Sequence, residues 1–156
     1  MEVQDLNLEA ERRAFMDTGL NALHSRRVSA RVAFHVATLE NLWAVMTSAA
    51  HANPALHLSC HGVGSVQGGG ALLLEDGFGG ADAVTAKRFT SLFASLGPPS
   101  VKLVVISACH SEEAGQVFVD AGVQHVVAVQ SLAKVLDVAA TQFAKHFYAA
   151  LFGGST

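Results

Sequence analysis

Val101-Lys102-Leu103-Val104-Val105-Ile106-Ser107-Ala108-Cys109-His110-Ser111 decides the fold class of this chain. A short aliphatic run that follows the stiff Pro98-Pro99 and gives way to small, turn-prone residues reads as a buried strand with a reactive side chain at its carboxyl end. A second run of the same kind, Ala55-Leu56-His57-Leu58-Ser59-Cys60, lies upstream and is closed by His61-Gly62. Helix-forming sequence spans 86–96 before the Cys109 strand and 112–121 after it, and His125 to Val129 reads as a further strand. Towards the amino terminus, Arg31 to Val36 reads as a strand, Thr38 as an N-cap, and Leu39 to Ala50 as a helix that must stop before Asn53-Pro54. This alternation of strand and helix specifies an α/β domain with a largely parallel sheet. Leu8 to His24 is an amphipathic helix weakened at Gly19, and Val138 to Leu151 supplies the last helix. Gly68-Gly69-Gly70 and Asp76-Gly77-Phe78-Gly79-Gly80 bracket Ala71 to Glu75, which predicts a single strand or small hairpin, a flap, just after His61-Gly62.

The chain has 156 residues, 51% of them hydrophobic, which is the size and composition of one ordinary domain with a packed core. Its net charge is −3 and its ten Lys and Arg are scattered apart from Arg12-Arg13 and Arg26-Arg27, so no nucleic-acid-binding surface is expected. Between Glu40 and Glu75 no charged residue occurs, yet Asn53-Pro54, three histidines and five glycines interrupt the stretch, and it reads as buried core rather than a membrane segment. Met1-Glu2-Val3-Gln4-Asp5-Leu6 carries acids and lacks the apolar core of a secretory signal, so a cytoplasmic location with Cys60 and Cys109 reduced is expected.

In open parallel sheets ligands gather outside the carboxyl ends of the strands, so an imidazole at His61 and a thiol at Cys109, forty-eight positions on, can meet over one substrate carbonyl. Such a dyad also needs oxyanion donors, and the backbone N–H groups of Gly62 and Cys109 are the candidates because preorganised amides require no particular side chain. The bland alternative is a cysteine that merely fills space at the end of a core strand. Zinc is the chemical competitor, since Cys60-His61 and Cys109-His110 form two Cys-His doublets; adjacent strand residues point to opposite faces, however, and the usual gap between ligands is missing. The glycines after His61 are followed by no Gly-Lys-Ser/Thr and lead into a strand, which excludes a phosphate loop. His110 is a candidate lining residue of the substrate cleft. His24, His35, His51, His57, His125 and His146 receive no role, and Glu112 and Glu113 are expected only to favour the start of their helix.

Leu56 through Gly62, Val104 through Ser111, and the terminal Asp137-Val138-Ala139-Ala140 with Phe147-Tyr148 resemble the CHAT domain, a caspase-like family in the cysteine-peptidase clan of caspases and separases. The likeness spans Val28 to Thr156, leaving residues 1–27 as an amino-terminal helical segment. The resemblance implies a caspase-like three-layer fold, a mostly parallel central sheet flanked by helices. It implies a cysteine endopeptidase in which His61 is the catalytic histidine and Cys109 the nucleophile, with Gly62 and Cys109 as the oxyanion hole and no cofactor or metal. In this clan the imidazole acts from the substrate side of the scissile bond, so a direct thiol–imidazole hydrogen bond is not required. Implied partners are a protein or peptide substrate and a tetratricopeptide-repeat or other regulatory protein.

The departures from the family are as informative as the matches. The caspase signature Gln-Ala-Cys-Arg-Gly is replaced by Ser107-Ala108-Cys109-His110-Ser111, so cleavage after aspartate is not implied. Ser131-Leu132-Ala133-Lys134 lacks the tryptophan that the family commonly carries there, and Lys134 stands where separases place a pocket acid. Ser131 and Lys134 are therefore candidate pocket residues, with acidic or neutral side chains expected before the scissile bond. The family's usual first strand and its continuation past the final helix are not evident, so a domain truncated at both ends is expected. A catalytically inactive caspase-like interaction module is the alternative function.

Overall fold

The computed structural model describes residues 8–19, 21, 31–48, 55–64, 69–130 and 136–154. The boundary expected between residues 27 and 28 lies outside them. The chain divides into two compact units, one made of residues 1–34 and 135–156 and the other of His35–Lys134.

The second unit holds the core and two sheets. Helix α2 (Leu39–Thr47) begins where Thr38, in extended conformation, accepts a 3.1 Å hydrogen bond from the Asn41 amide, as its N-cap reading requires. It buries Leu42 and Met46. Strand β1 (Ala55–Ser59) pairs in parallel with β5 (Leu103–Ser107), and β5 pairs in parallel with β6 (His125–Val127). Central β5 has Val104, Val105 and Ile106 all buried, so both of its faces are covered and its sequence shows no alternation. Between β5 and β6, helix α4 (Glu112–Asp120) buries Ala114, Gly115, Val117 and Phe118. Helix α3 (Ala86–Phe93), capped by Thr85 at the Arg88 amide, adds Phe89 and Phe93, whose rings lie 5.9 and 5.0 Å from that of Phe118.

Among the described residues only half of the sheet structure is parallel, which corrects the expectation of one largely parallel sheet. A second sheet, β2 (His61–Val63), β3 (Ala71–Glu75) and β4 (Ala81–Thr85), is antiparallel throughout. The connections between its strands are too short for the crossover that parallel pairing demands. The expected flap is thus the central strand of a sheet, with Leu72 and Leu74 buried, and its turn at Asp76–Gly80 is pinned by the Glu75 and Asp76 carboxylates accepting from Gly77, Phe78, Gly79 and Gly80 amides. Residues 31–38 do not form the expected strand. The Val36 carbonyl accepts from the Thr38 amide and the Asn41 side chain, and that of Ala37 from the Glu75 amide, which makes a turn and a tether rather than a ladder.

In the other unit, α1 (Leu8–Ala14) runs into a π-helical turn at Phe15–Gly19, where the long amphipathic helix was expected to weaken. Helix α5 (Asp137–Gly153) ends at Gly154, whose φ of 71° suits a residue without Cβ. Phe15 meets Tyr148 edge-on at 4.8 Å, and Phe152 stacks on the same tyrosine. Among the described residues no helix is long and apolar enough to cross a membrane.

Candidate active site

Parallel registry brings the two motif residues to one edge. Ser59 of β1 lies opposite Ser107 of β5, and the Cys60 amide extends that pairing by donating to the Ser107 carbonyl at 3.3 Å. His61 and Cys109 each come two residues after that pair, so they leave the same carboxyl edge on neighbouring strands, which are about 4.8 Å apart in any sheet. The first doublet separates as strand geometry dictates, Cys60 being 6% exposed within the core and His61 half-buried, while Cys109 and His110 are both half-buried in the turn after β5. Both cysteines are thiols rather than half-cystines. Among the described residues no three of His, Cys, Asp and Glu gather as a metal site.

The decisive contact is backbone against backbone. A Cβ built on Gly62 would lie 1.6 Å from the carbonyl oxygen of Cys109, 2.6 Å from its carbonyl carbon and 3.2 Å from its nitrogen. Only glycine permits that approach. In the β2–β3 ladder Gly62 is opposite buried Leu72 and His61 opposite half-exposed Leu73, so the glycine is on the buried side and the imidazole on the more open one. Two more glycines close on the next residue. A Cβ on Gly70 would meet the His110 carbonyl oxygen at 2.7 Å, and one on Gly64 would lie 3.7 Å from the His110 imidazole. His110 itself has φ 51°, the left-handed conformation, so the chain turns sharply immediately after the thiol.

A family model for the CHAT domain matches residues 6–156. The chain belongs to the CHAT domain family. No curated relative matches the sequence.

Two polar residues of this CHAT domain that sequence reading left without a site role reach out from the start of α4. Ser111 is fully buried, and instead of capping the helix its hydroxyl accepts a 2.8 Å hydrogen bond from the Val129 amide, tying the Cys109 turn to the chain that leaves β6. Glu113 does more than favour the helix start, because its carboxylate accepts from the Gly70 amide at 3.0 Å. Neither role is local: Ser111 and Val129 are 18 residues apart, Gly70 and Glu113 are 43 apart, and an ordinary Ser-Glu-Glu helix start was the only signal. The structure thus brings His61, Gly62, Cys109 and His110 together. Ser131 and Lys134, the candidate pocket residues, lie outside the described residues.

Proposed function

We propose that this CHAT domain is a cysteine endopeptidase of the caspase and separase type, built on the caspase-like three-layer layout of its relatives. The observation that carries this reading is the seating of Gly62 on the Cys109 peptide, which puts the His-Gly motif beside the Ser-Ala-Cys motif at one sheet edge. The Cys109 thiolate attacks the scissile carbonyl carbon, and the carbonyl π electrons move to oxygen, where the amides of Gly62 and Cys109 donate hydrogen bonds. Collapse of that intermediate breaks the C–N bond, His61 delivers a proton to the leaving amine, and an acyl-enzyme remains on Cys109. Water then gives a proton to His61 as its oxygen attacks the thioester, and collapse breaks the C–S bond, releasing the acid and restoring the Cys109 thiolate beside a protonated His61. No cofactor or metal enters the scheme. Substrates are proteins or peptides; His110, Ser131 and Lys134 line the pocket, and the cation at Lys134 favours acidic or neutral residues before the cut. A cytoplasmic setting and a tetratricopeptide-repeat or other regulatory partner complete the proposal.

The test is covalent labelling of native protein with peptide electrophiles that vary the residue before the warhead, followed by intact mass. Labelling lost in Cys109→Ala, retained in Cys60→Ala and slowed in His61→Ala is the expected result. No labelling, or equal labelling of Cys60, would overturn the peptidase reading and favour a catalytically inactive interaction module.

A further inference from the structure

Glu113 closes a ring of contacts around the proposed nucleophile. Its Oε2 accepts from the Gly70 amide at 3.0 Å and would lie 3.1 Å from a Cβ on Gly69, so the two glycines lie directly against the carboxylate. Gly70 also abuts the His110 carbonyl and leads at once into β3. Within β3, Leu72 and Leu73 pair with Gly62 and His61, and Gly62 rests on the Cys109 peptide. From Cys109 the chain reaches Glu113 in four residues, through the left-handed turn at His110 and the buried Ser111.

We infer that Glu113 is a positioning residue for the reaction at Cys109. Holding Gly70 fixes the start of β3, and β3 in turn fixes the His61-Gly62 edge against the nucleophile's backbone. The role rests on the peptidase reading of this site. Glu113 touches no reacting atom; it acts by keeping the amide of Gly62 and the imidazole of His61 at fixed distances from Cys109. An anionic acceptor is suited to this because hydrogen bonds to charged groups are stronger than neutral ones, and a displacement of about 1 Å at a reacting centre can cost roughly a hundredfold in rate.

The test compares wild type with Glu113→Ala and Glu113→Gln in the full chain, using iodoacetamide and a peptide electrophile on Cys109, with exchange of the Gly70 amide followed by NMR. In Glu113→Ala, iodoacetamide should alkylate Cys109 within about twofold of the wild-type rate, while the peptide electrophile slows by about tenfold or more and Gly70 protection falls by a similar factor. Glu113→Gln, which keeps a carbonyl acceptor, should recover most of both. An unchanged peptide-electrophile rate in Glu113→Ala would overturn the inference, as would equal slowing of both probes with no recovery in the glutamine variant. If wild type reacts with iodoacetamide but not with any peptide electrophile, the peptidase reading fails by itself. Gly70 exchange then decides the tether: unchanged protection in Glu113→Ala overturns it, and lost protection sustains it.

Discussion

Replacing Gly62 with alanine tests the central contact most directly. The new methyl would sit 1.6 Å from the Cys109 carbonyl oxygen, and ordinary van der Waals contact begins at 3.4 Å, so the two backbones must separate by about 1.8 Å. The obstacle is a peptide group rather than the end of a flexible side chain, and both partners are tied, Gly62 to Leu72 in β2–β3 and the Cys109 turn through Ser111 to Val129. Overpacking of this kind costs about 1–3 kcal/mol, which for a chain of this length lowers the unfolding midpoint by several degrees, roughly 2–4 °C per kcal/mol. The effect on chemistry is larger, because a shift of more than about 1 Å between oxyanion donors and nucleophile predicts at least a hundredfold loss. Gly62→Ala should therefore fall at least about a hundredfold in peptide-electrophile labelling of Cys109 while iodoacetamide still alkylates the thiol. Gly77→Ala is the matched control: Gly77 has φ 87° with nothing within 4 Å, so alanine there meets only backbone strain, about 1–2 kcal/mol, and should leave labelling intact. Wild-type labelling and midpoint in Gly62→Ala would refute the close approach and the site built on it.

Ser111→Ala removes the fully buried hydroxyl that accepts from the part-buried Val129 amide, and a loss of about 0.5–1.5 kcal/mol is expected from the urea midpoint at unchanged m; an unchanged midpoint would show that the hydroxyl is dispensable. Tyr148, the single tyrosine of the chain, is raised above its ordinary pKa first by burial and second by the Glu11 carboxylate. The native state thus keeps a proton that the unfolded chain releases, so this group's contribution to stability is full below pH 10 and is lost as pH climbs further. Absorbance at the phenolate band should appear only with unfolding, and Tyr148→Phe should flatten the alkaline fall in stability; phenolate forming in the folded protein near pH 10 would contradict the burial.

What was legible in the sequence depended on how local its cause was. Thr38 precedes a helix whose first turn its side chain caps, and that interaction spans three residues. The β5 run was readable because a strand covered on both faces needs no partner information to be apolar throughout. Ala81-Asp82-Ala83-Val84-Thr85 carries no such signal: Ala and Asp are poor strand formers, only Val84 is buried, and the segment is a strand because β3 pairs with it. Conversely, Arg31 to Val36 has strand-like composition but pairs with no strand among the described residues. His61, Gly62 and Cys109 were identifiable as types at strand ends, whereas their contact depends on the Ser59–Ser107 registry across a parallel pair, which no local pattern encodes.

The same distinction explains the shape of the turn that carries the thiol. A histidine at φ 51° is disfavoured relative to glycine, and such a conformation persists where neighbours over-determine it. Here the neighbours are identifiable: Gly64 beneath the His110 imidazole, Gly70 against its carbonyl, Gly62 against the preceding peptide, and buried Ser111 immediately after. Each glycine supplies space that a side chain would fill, so the antiparallel sheet can close on the end of β5 without displacing it. Glycine at position 110 would relieve the strain and enlarge the set of turns open to Cys109. A strained residue held on several sides instead gives the thiol one backbone setting, the condition under which fixed amides at Gly62 and Cys109 act on a substrate oxygen without reorganising.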